Sequence, residues 1–216
     1  MIDDNYIHDD MPNCLQIYAN NPIDVLSLDR HNWLTGSIMN SFLDTIDLNT
    51  DNGSHNKLMN ILHTPFYGLL TTTLPGHVNT PQYNSYNIHA VQTFTDHLSQ
   101  VDFLKTFLIP IYIPGHWILC IMDPRYKNYY IIDSMRHKNN EVTENIRKWY
   151  KSKMERLNYD VSQNSDYDVY SWHLIKNIKI PNHVPIQTDG SSCGIFVLMT
   201  AYYWYNYQRL PNKYED

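Results

Sequence analysis

Four side chains of this 216-residue chain have the chemistry to break an acyl bond together: His116, Asp133, Gln187 and Cys193. Cys193 is the nucleophile of the set. It stands in QTDGSSCG, Gln187 to Gly194, which runs straight into the apolar stretch IFVLMTAYYWY. That stretch reads as a buried helix, so Cys193 falls at a helix start. There it meets unpaired backbone N–H groups and the positive end of the helix dipole, which both favour the thiolate. Gly190 and Gly194 let the backbone turn tightly and approach a ligand. Gln187 lies six residues upstream of Cys193, with an amide that can donate toward a developing negative charge. The segment holds an activated nucleophile and half an oxyanion hole.

A nucleophilic thiol needs a base, and the base needs a group to orient it. Both lie upstream on what reads as a hairpin. LIPIYI (Leu108 to Ile113) is an apolar run, followed by Pro114, Gly115 and His116. WILCIMD (Trp117 to Asp123) has no period-2 polar face and reads as a strand buried on both sides. DPRYKN is a turn, and YYIID (Tyr129 to Asp133) is the next strand. His116 opens one strand and Asp133, 17 residues later, closes the next. Antiparallel strands joined by a tight turn bring those ends together, as a Cys–His pair requires.

Each residue taken alone has a plainer reading. Cys14 and Cys120 read as small buried hydrophobes, Cys120 in mid-strand between Leu119 and Ile121. Most of the eleven histidines stand in no chemical context. Asp133 alone reads as a strand end. The set is more than its members because four separate requirements occur in an order that one fold satisfies.

The segments PIYIPGHWILCIMD, YYIIDSM and VPIQTDGSSCGIFVLM together resemble the ubiquitin-like-protein-specific cysteine proteases, the Ulp and sentrin-specific protease family, which acts on SUMO, NEDD8 and sometimes ubiquitin. In that family the order along the chain is His, Asp, Gln, Cys. The His precedes a Trp, and Gln stands six residues before Cys in Q-x-(D/N)-G-x-x-C-G. His116, Trp117, Asp133, Gln187 and Cys193 match every position. A Trp-Leu pair opening a helix has its counterpart in HNWLTGSIMNSFLD, at Trp33 and Leu34. The resemblance spans about residues 23 to 205. It implies that His116 is general base and then general acid, that Asp133 orients it, and that Cys193 attacks the scissile carbonyl. Gln187 and the backbone N–H near Cys193 would hold the oxyanion. Trp33 and Trp117 would wall a narrow tunnel that admits the Gly-Gly tail of a ubiquitin-like protein and excludes bulkier peptides. Read without the resemblance, Trp33 is a core aromatic at a helix start. The match departs at one place. After Trp-Leu the family has Asn-Asp and then an acidic residue, which grip basic residues near the substrate tail. Here Thr35, Gly36 and Asn40 stand there, so a tail other than that of SUMO stays open.

Length and composition bound the rest. The chain is long enough to bury most of its surface as one domain, expected at 23–216 behind a polar arm at 1–22. Its net charge of −6 points away from nucleic acid. The densest basic group, RKWYKSKMER, sits on a helix with Val142, Ile146, Trp149 and Leu157 on one face, so it reads as a solvated face. Three widely spaced cysteines suit a reducing intracellular compartment, cytoplasmic or nuclear, rather than a disulfide framework. No CxxC or HExxH appears, no apolar run reaches membrane-spanning length, and MIDDNYIHDD is no signal peptide. No cofactor, metal or membrane is therefore expected, and the chain is expected to be a monomer.

Helices are expected at 36–47, at 56–63, around Ile88 to Leu98, and at 141–157. A strand is expected within Trp172 to Ile180, and polar loops at 49–56, 71–87 and 158–168. The fold class is α+β of the Ulp and adenain type: a small mixed central sheet packed by helices, with the nucleophile at the start of a buried helix. Three other readings remain open. One is a polyprotein-processing cysteine endopeptidase of the adenovirus type, which shares this residue order with Glu in the acid position. Another is the related bacterial acetyltransferases. The third is a non-catalytic module that binds a ubiquitin-like partner.

Overall fold

The computed structural model describes residues 32–49, 59–71, 88–158, 168–176, 186–208 and 210. The expected arm at 1–22, Cys14, and most of the expected polar loops lie outside these residues. The helices are α1 (Gly36–Asn49), α2 (Pro65–Thr71), α3 (Ile88–Thr95), α4 (Asn140–Arg156) and α5 (Cys193–Tyr207). The strands are β1 (Met59–Ile61), β2 (Thr106–Ile113), β3 (His116–Asp123), β4 (Asn128–Ile132) and β5 (His173–Lys176).

The absence of a polar face in WILCIMD has a direct cause. β3 is the middle of a five-stranded sheet ordered β1-β2-β3-β4-β5, and every one of its residues is buried. Successive side chains of a strand point to opposite faces. Ile118, Cys120 and Met122 therefore enter one core, with Trp149, Tyr150 and Met154 of α4 and Phe66 and Tyr67 of α2. Trp117, Leu119 and Ile121 enter the other, with Ile38, Met39 and Leu43 of α1 and Val197, Leu198 and Ala201 of α5. The result is a sheet between two helical layers. It is mixed: β2 and β4 flank β3 antiparallel, while β1 and β5 join the outer sides in parallel. Pro110 in β2 is tolerated because β1 pairs only with Thr106 to Leu108.

Three expectations need correction. Residues 56–63 were expected as a helix, but Met59–Ile61 is a strand, paired with Thr106, Phe107 and Leu108. So short an apolar run carries no full helical stripe, and the open edge of β2 supplies its hydrogen bonds. The helix starts later, at Pro65, whose missing N–H is harmless in a first turn. The Cys193 helix is not buried all round: Ile195, Met199 and Tyr202 are exposed, because a helix lying on one sheet face buries one stripe. The basic face of α4 is not all solvated either. Lys153 is buried, with its ammonium donating to Thr95 O (3.1 Å) and Asp96 Oδ1 (2.9 Å), which ties α4 to the end of α3.

Trp149 anchors the α4 core. Its ring lies 4.8 Å from Phe66, 5.7 Å from Phe103 and 5.6 Å from Phe107, in tilted or edge-on packing. Trp149→Ala is expected to destabilise the fold by about 3–5 kcal/mol. Denaturant unfolding checks this, and a change under about 1 kcal/mol would contradict so tightly packed a core.

Candidate active site

The chain between β2 and β3 turns at Pro114-Gly115. Gly115 has φ +77°, and Pro followed by a positive-φ glycine is the type II turn pattern. The Gly115 N–H donates to the Tyr112 phenol oxygen at 3.1 Å. This turn starts β3 at His116. In the β3–β4 register Leu119 pairs with Ile132, so Asp133 comes off β4 near the His116 end of β3. His116 Nε2–H donates to Asp133 Oδ1 at 2.7 Å, the meeting expected from the hairpin.

Asp133 is 0% exposed. A buried carboxylate is costly unless hydrogen-bonded. Besides His116, its oxygens accept from the backbone N–H groups of Met135 (2.7 Å) and His137 (3.1 Å) and from Asn139 Nδ2 (2.7 Å). Burial alone would push this carboxyl up. The bonds from His116, Asn139 and Met135 offset that and hold it below the ordinary value.

With Nε2 engaged, Nδ1 is the ring nitrogen left for Cys193, and it is buried with no other hydrogen-bond partner. Burial depresses the imidazolium, but Asp133 and then Cys193 outweigh it, and His116 is raised to about 9. Burial likewise pushes the Cys193 thiol up. Bonds from His116 and from the Trp117 N–H, together with the imidazolium charge and the Gly194 N–H, bring it below its ordinary value. The two shifts describe one thiolate–imidazolium pair. Cys120, equally buried but among apolar side chains, is pushed strongly up. Leu34 sits so close to the helix start that a Cβ on Gly194 would meet Leu34 Cβ at 3.0 Å. Glycine is what admits that approach.

Gln187 is held from both sides. Its N–H donates to Ser134 O (3.0 Å), and its Oε1 accepts the Ser134 hydroxyl (2.8 Å). That fixes which end of the amide faces outward. Nε2 donates to Asp189 O at 2.7 Å and makes a long contact to Asp189 Oδ1 at 3.5 Å; an amide nitrogen carries two hydrogens, so one can turn from that long contact to an oxyanion. Asp189 shapes the loop before the thiol. Its carboxylate accepts from the Ser192 hydroxyl and from the Ser191 and Ser192 N–H groups, and these bonds lower it to about 2.

Trp33 is 44% exposed, so the core reading of that residue fails. Its indole N–H donates to Gly190 O (3.0 Å), and a Cβ on Gly115 would lie 3.1 Å from its Cη2. The ring therefore spans from the turn before His116 to the loop before Cys193. Trp117 is 5% exposed, donates its indole N–H to Leu34 O (3.0 Å), and packs against Tyr112 at 4.9 Å. At the departing positions, Thr35 Oγ1 accepts the Ile38 N–H (3.4 Å) as an N-cap of α1, and Asn40 Oδ1 accepts the Thr64 N–H (2.9 Å). These groups hold α1 and the α2 approach together.

Reasoning from sequence missed the supporting residues. Ser134 and Asn139 carry no motif; their only signal is closeness to Asp133 in the chain. His137 was among the histidines without context, yet its Nδ1 lies 3.3 Å from Asp133 Oδ2 and its ring stacks edge-on against His116 at 5.5 Å. Among the described residues, His116, Asp133 and His137 form the one group whose donor atoms, all within 4.8 Å of one another, suit a metal ion.

The geometry predicts selective alkylation. Iodoacetamide should modify Cys193 in the folded protein and leave Cys120 untouched until denaturation, with a rate that rises below the ordinary thiol pKa. The imidazolium partner should persist up to about pH 9, so a reaction needing both charges should fall off above that value. Peptide mapping across a pH series checks the rising limb, and the pH profile of acyl-bond cleavage checks the fall. Preferential modification of Cys120 would refute the assignment.

Comparison with known proteins gives a consistent result. Sentrin-specific protease 2 of Homo sapiens is 25% identical over 183 residues, covering 83% of this chain and 27% of that protein. The chain thus spans about a quarter of the length of the curated relatives it matches (27%). The SUMO protease Ulp1 with its catalytic cysteine oxidized to a sulfinic acid shares the fold with a TM-score of 0.63 at 21% identity, covering 89% of this chain and 75% of that one. The Ulp1 protease domain in complex with Smt3, the yeast ortholog of SUMO, gives 0.59 at 22% identity, over 85% of this chain and 71% of that one. Residues 32–213 match the model of the Ulp1 protease family, C-terminal catalytic domain, and the chain belongs to that family.

Proposed function

We propose that this protein is a cysteine peptidase that cuts after the C-terminal Gly-Gly of a ubiquitin-like protein such as SUMO, NEDD8 or ubiquitin, at a peptide or isopeptide bond. The observation that carries the reading is the buried line of Cys193, His116 and Asp133 beside an indole that bridges the Gly115 turn and the Gly190 loop. The relatives' names support the substrate class, since they act on or bind SUMO-type proteins.

The chemistry follows from the atoms in place. The Cys193 thiolate adds to the carbonyl carbon after the second glycine. The oxyanion takes hydrogen bonds from Gln187 Nε2 and from the first N–H groups of α5, which have no partner inside the helix. His116 Nδ1–H gives its proton to the departing amine, and the C–N bond breaks to leave a thioester. A water then loses a proton to Nδ1 and attacks the thioester, releasing the carboxylate and restoring the pair. Asp133 keeps the ring in the orientation that presents Nδ1 to sulfur. Trp33 covers the path of the tail and Trp117 bounds it from beneath. The free thiols of Cys193 and Cys120 suit a reducing compartment.

Three measurements test this. Glycine-terminated SUMO, NEDD8 and ubiquitin electrophiles are expected to label Cys193, at least one of them efficiently. Silence across the panel, with Cys193 still alkylatable, overturns the ubiquitin-like reading. A Gly-Ala tail is expected to be cut roughly one to two orders of magnitude more slowly than Gly-Gly, because a methyl overpacks the covered path by about 1–3 kcal/mol. Trp33→Ala should keep the melting temperature within a few degrees, as befits a half-exposed ring, and lose that discrimination.

Asp133→Asn is expected to lower kcat by roughly 10²–10⁴-fold. Its amide nitrogen would also face the Asn139 amide or a backbone N–H, so a loss of about 1–3 kcal/mol in stability should accompany it. Full activity in that variant would mean another residue orients His116.

A further inference from the structure

We infer that His137 completes, with His116 and Asp133, a binding site for a Zn²⁺-class divalent ion at the rim of the cleft, and that an ion held there stops the enzyme. The effect on turnover rests on the proposed peptidase reading; the binding itself does not.

The donor set is two imidazoles and a carboxylate, which suits zinc, nickel or copper and leaves a fourth position for water. One donor atom from each residue lies within 4.8 Å of the others. A tetrahedral ion with Zn–N and Zn–O bonds near 2.0–2.2 Å needs its ligand atoms about 3.4 Å apart. Asp133 stands 2.7 Å from His116 Nε2 through Oδ1 and 3.3 Å from His137 Nδ1 through Oδ2, and either oxygen can serve the ion. Most of the adjustment falls on His137, whose side chain is 54% exposed and can swing; that exposure also gives the ion its way in. Asp133 is held by the Asn139 amide and the Met135 N–H, so it stays in place while the His116 bond lengthens. A carboxylate oriented by its own donors is a preorganised ligand.

Binding exchanges one proton for the ion. The metal takes the Nε2 lone pair, and the Nε2 proton leaves to solvent. With metal on Nε2 and hydrogen on Nδ1, the ring has no nitrogen to accept the thiol proton. With Nδ1 bare, it has no proton for the departing amine. Either way the thiolate–imidazolium pair is lost. Most metals that inhibit thiol enzymes need the sulfur. This site needs His137, which lies outside the Cys–His pair.

The test separates the two sites. Cys193→Ala, which removes the thiol ligand, is dialysed against chelator and titrated with Co²⁺ and Zn²⁺, by absorption and calorimetry respectively. One equivalent is expected to bind, and His137→Ala or His137→Gln in the same background should weaken it by at least about tenfold. In the enzyme with Cys193 intact, Zn²⁺ should slow both alkylation of Cys193 and turnover. Each His137 variant, scaled to its own metal-free rate, should need at least about tenfold more Zn²⁺ for the same effect. No binding to Cys193→Ala, or binding equal with and without His137, overturns the proposal. Because binding and alkylation are read without a protein substrate, inactivity on every ubiquitin-like tail would sink the peptidase reading while leaving this one decided.

Discussion

A carboxylate cut off from water governs this structure. Asp133 has no exposed surface, so its charge survives only where protein donors replace solvent. Those donors come from β3 through His116, from the backbone just after β4, and from Asn139 at the entry to α4. Meeting that demand aligns the β3–β4 register, folds the 134–139 segment over the strand ends, and fixes the imidazole plane. Ser134, carried along by the same segment, then anchors Gln187. One buried charge thereby joins the His116 imidazole, the Gln187 amide and the sheet. Removing a single partner from such a group typically costs about 3–5 kcal/mol, which is large against the whole stability of a domain.

The sheet supplies the second half of the arrangement. β3 feeds alternate side chains to two cores, and the odd-numbered side carries α5. The start of α5 lies against the start of β3, held there by Leu34 on Gly194 and by the indole of Trp117 on Leu34 O. The same alternation separates the two buried thiols. Cys120 faces the aromatic core of α4 and has no charge nearby, so burial acts unopposed. Cys193 is also buried, but an imidazolium and two backbone N–H groups outweigh the desolvation. Both thiols are shielded from water, but only Cys193 has partners that offset the desolvation.

The rim is built from residues with looser constraints. Trp33 and His137 both touch the cleft from its solvent side, the first through Gly190 and Gly115, the second through Asp133 and the face of His116. Neither is needed to hold the core. Their positions on the solvent side bound the approach to the buried pair.

Much of this was legible in the sequence, and the reason is local. A strand buried on both faces must be apolar throughout, a Pro-Gly turn sets a hairpin, and a helix after Cys-Gly needs its N-terminus at the thiol. Those rules placed β2, β3, β4, α1, α4 and α5, and they bring His116 beside Asp133. They failed where the partner was distant. Met59–Ile61 is a strand only because the β2 edge lies open beside it. Lys153 is buried only because the end of α3 offers a carbonyl and a carboxylate. Trp33 looked like core until the Gly115 turn and Gly190 came to meet it. Residue type and spacing singled out Cys193, His116 and Asp133 and their order along the chain, since their placement depends on contacts within a hairpin or a helix turn. The tertiary structure alone decided that Trp33 faces water and that Met59–Ile61 pairs as a strand, because those outcomes are set by hydrogen bonds between segments that no sequence period connects.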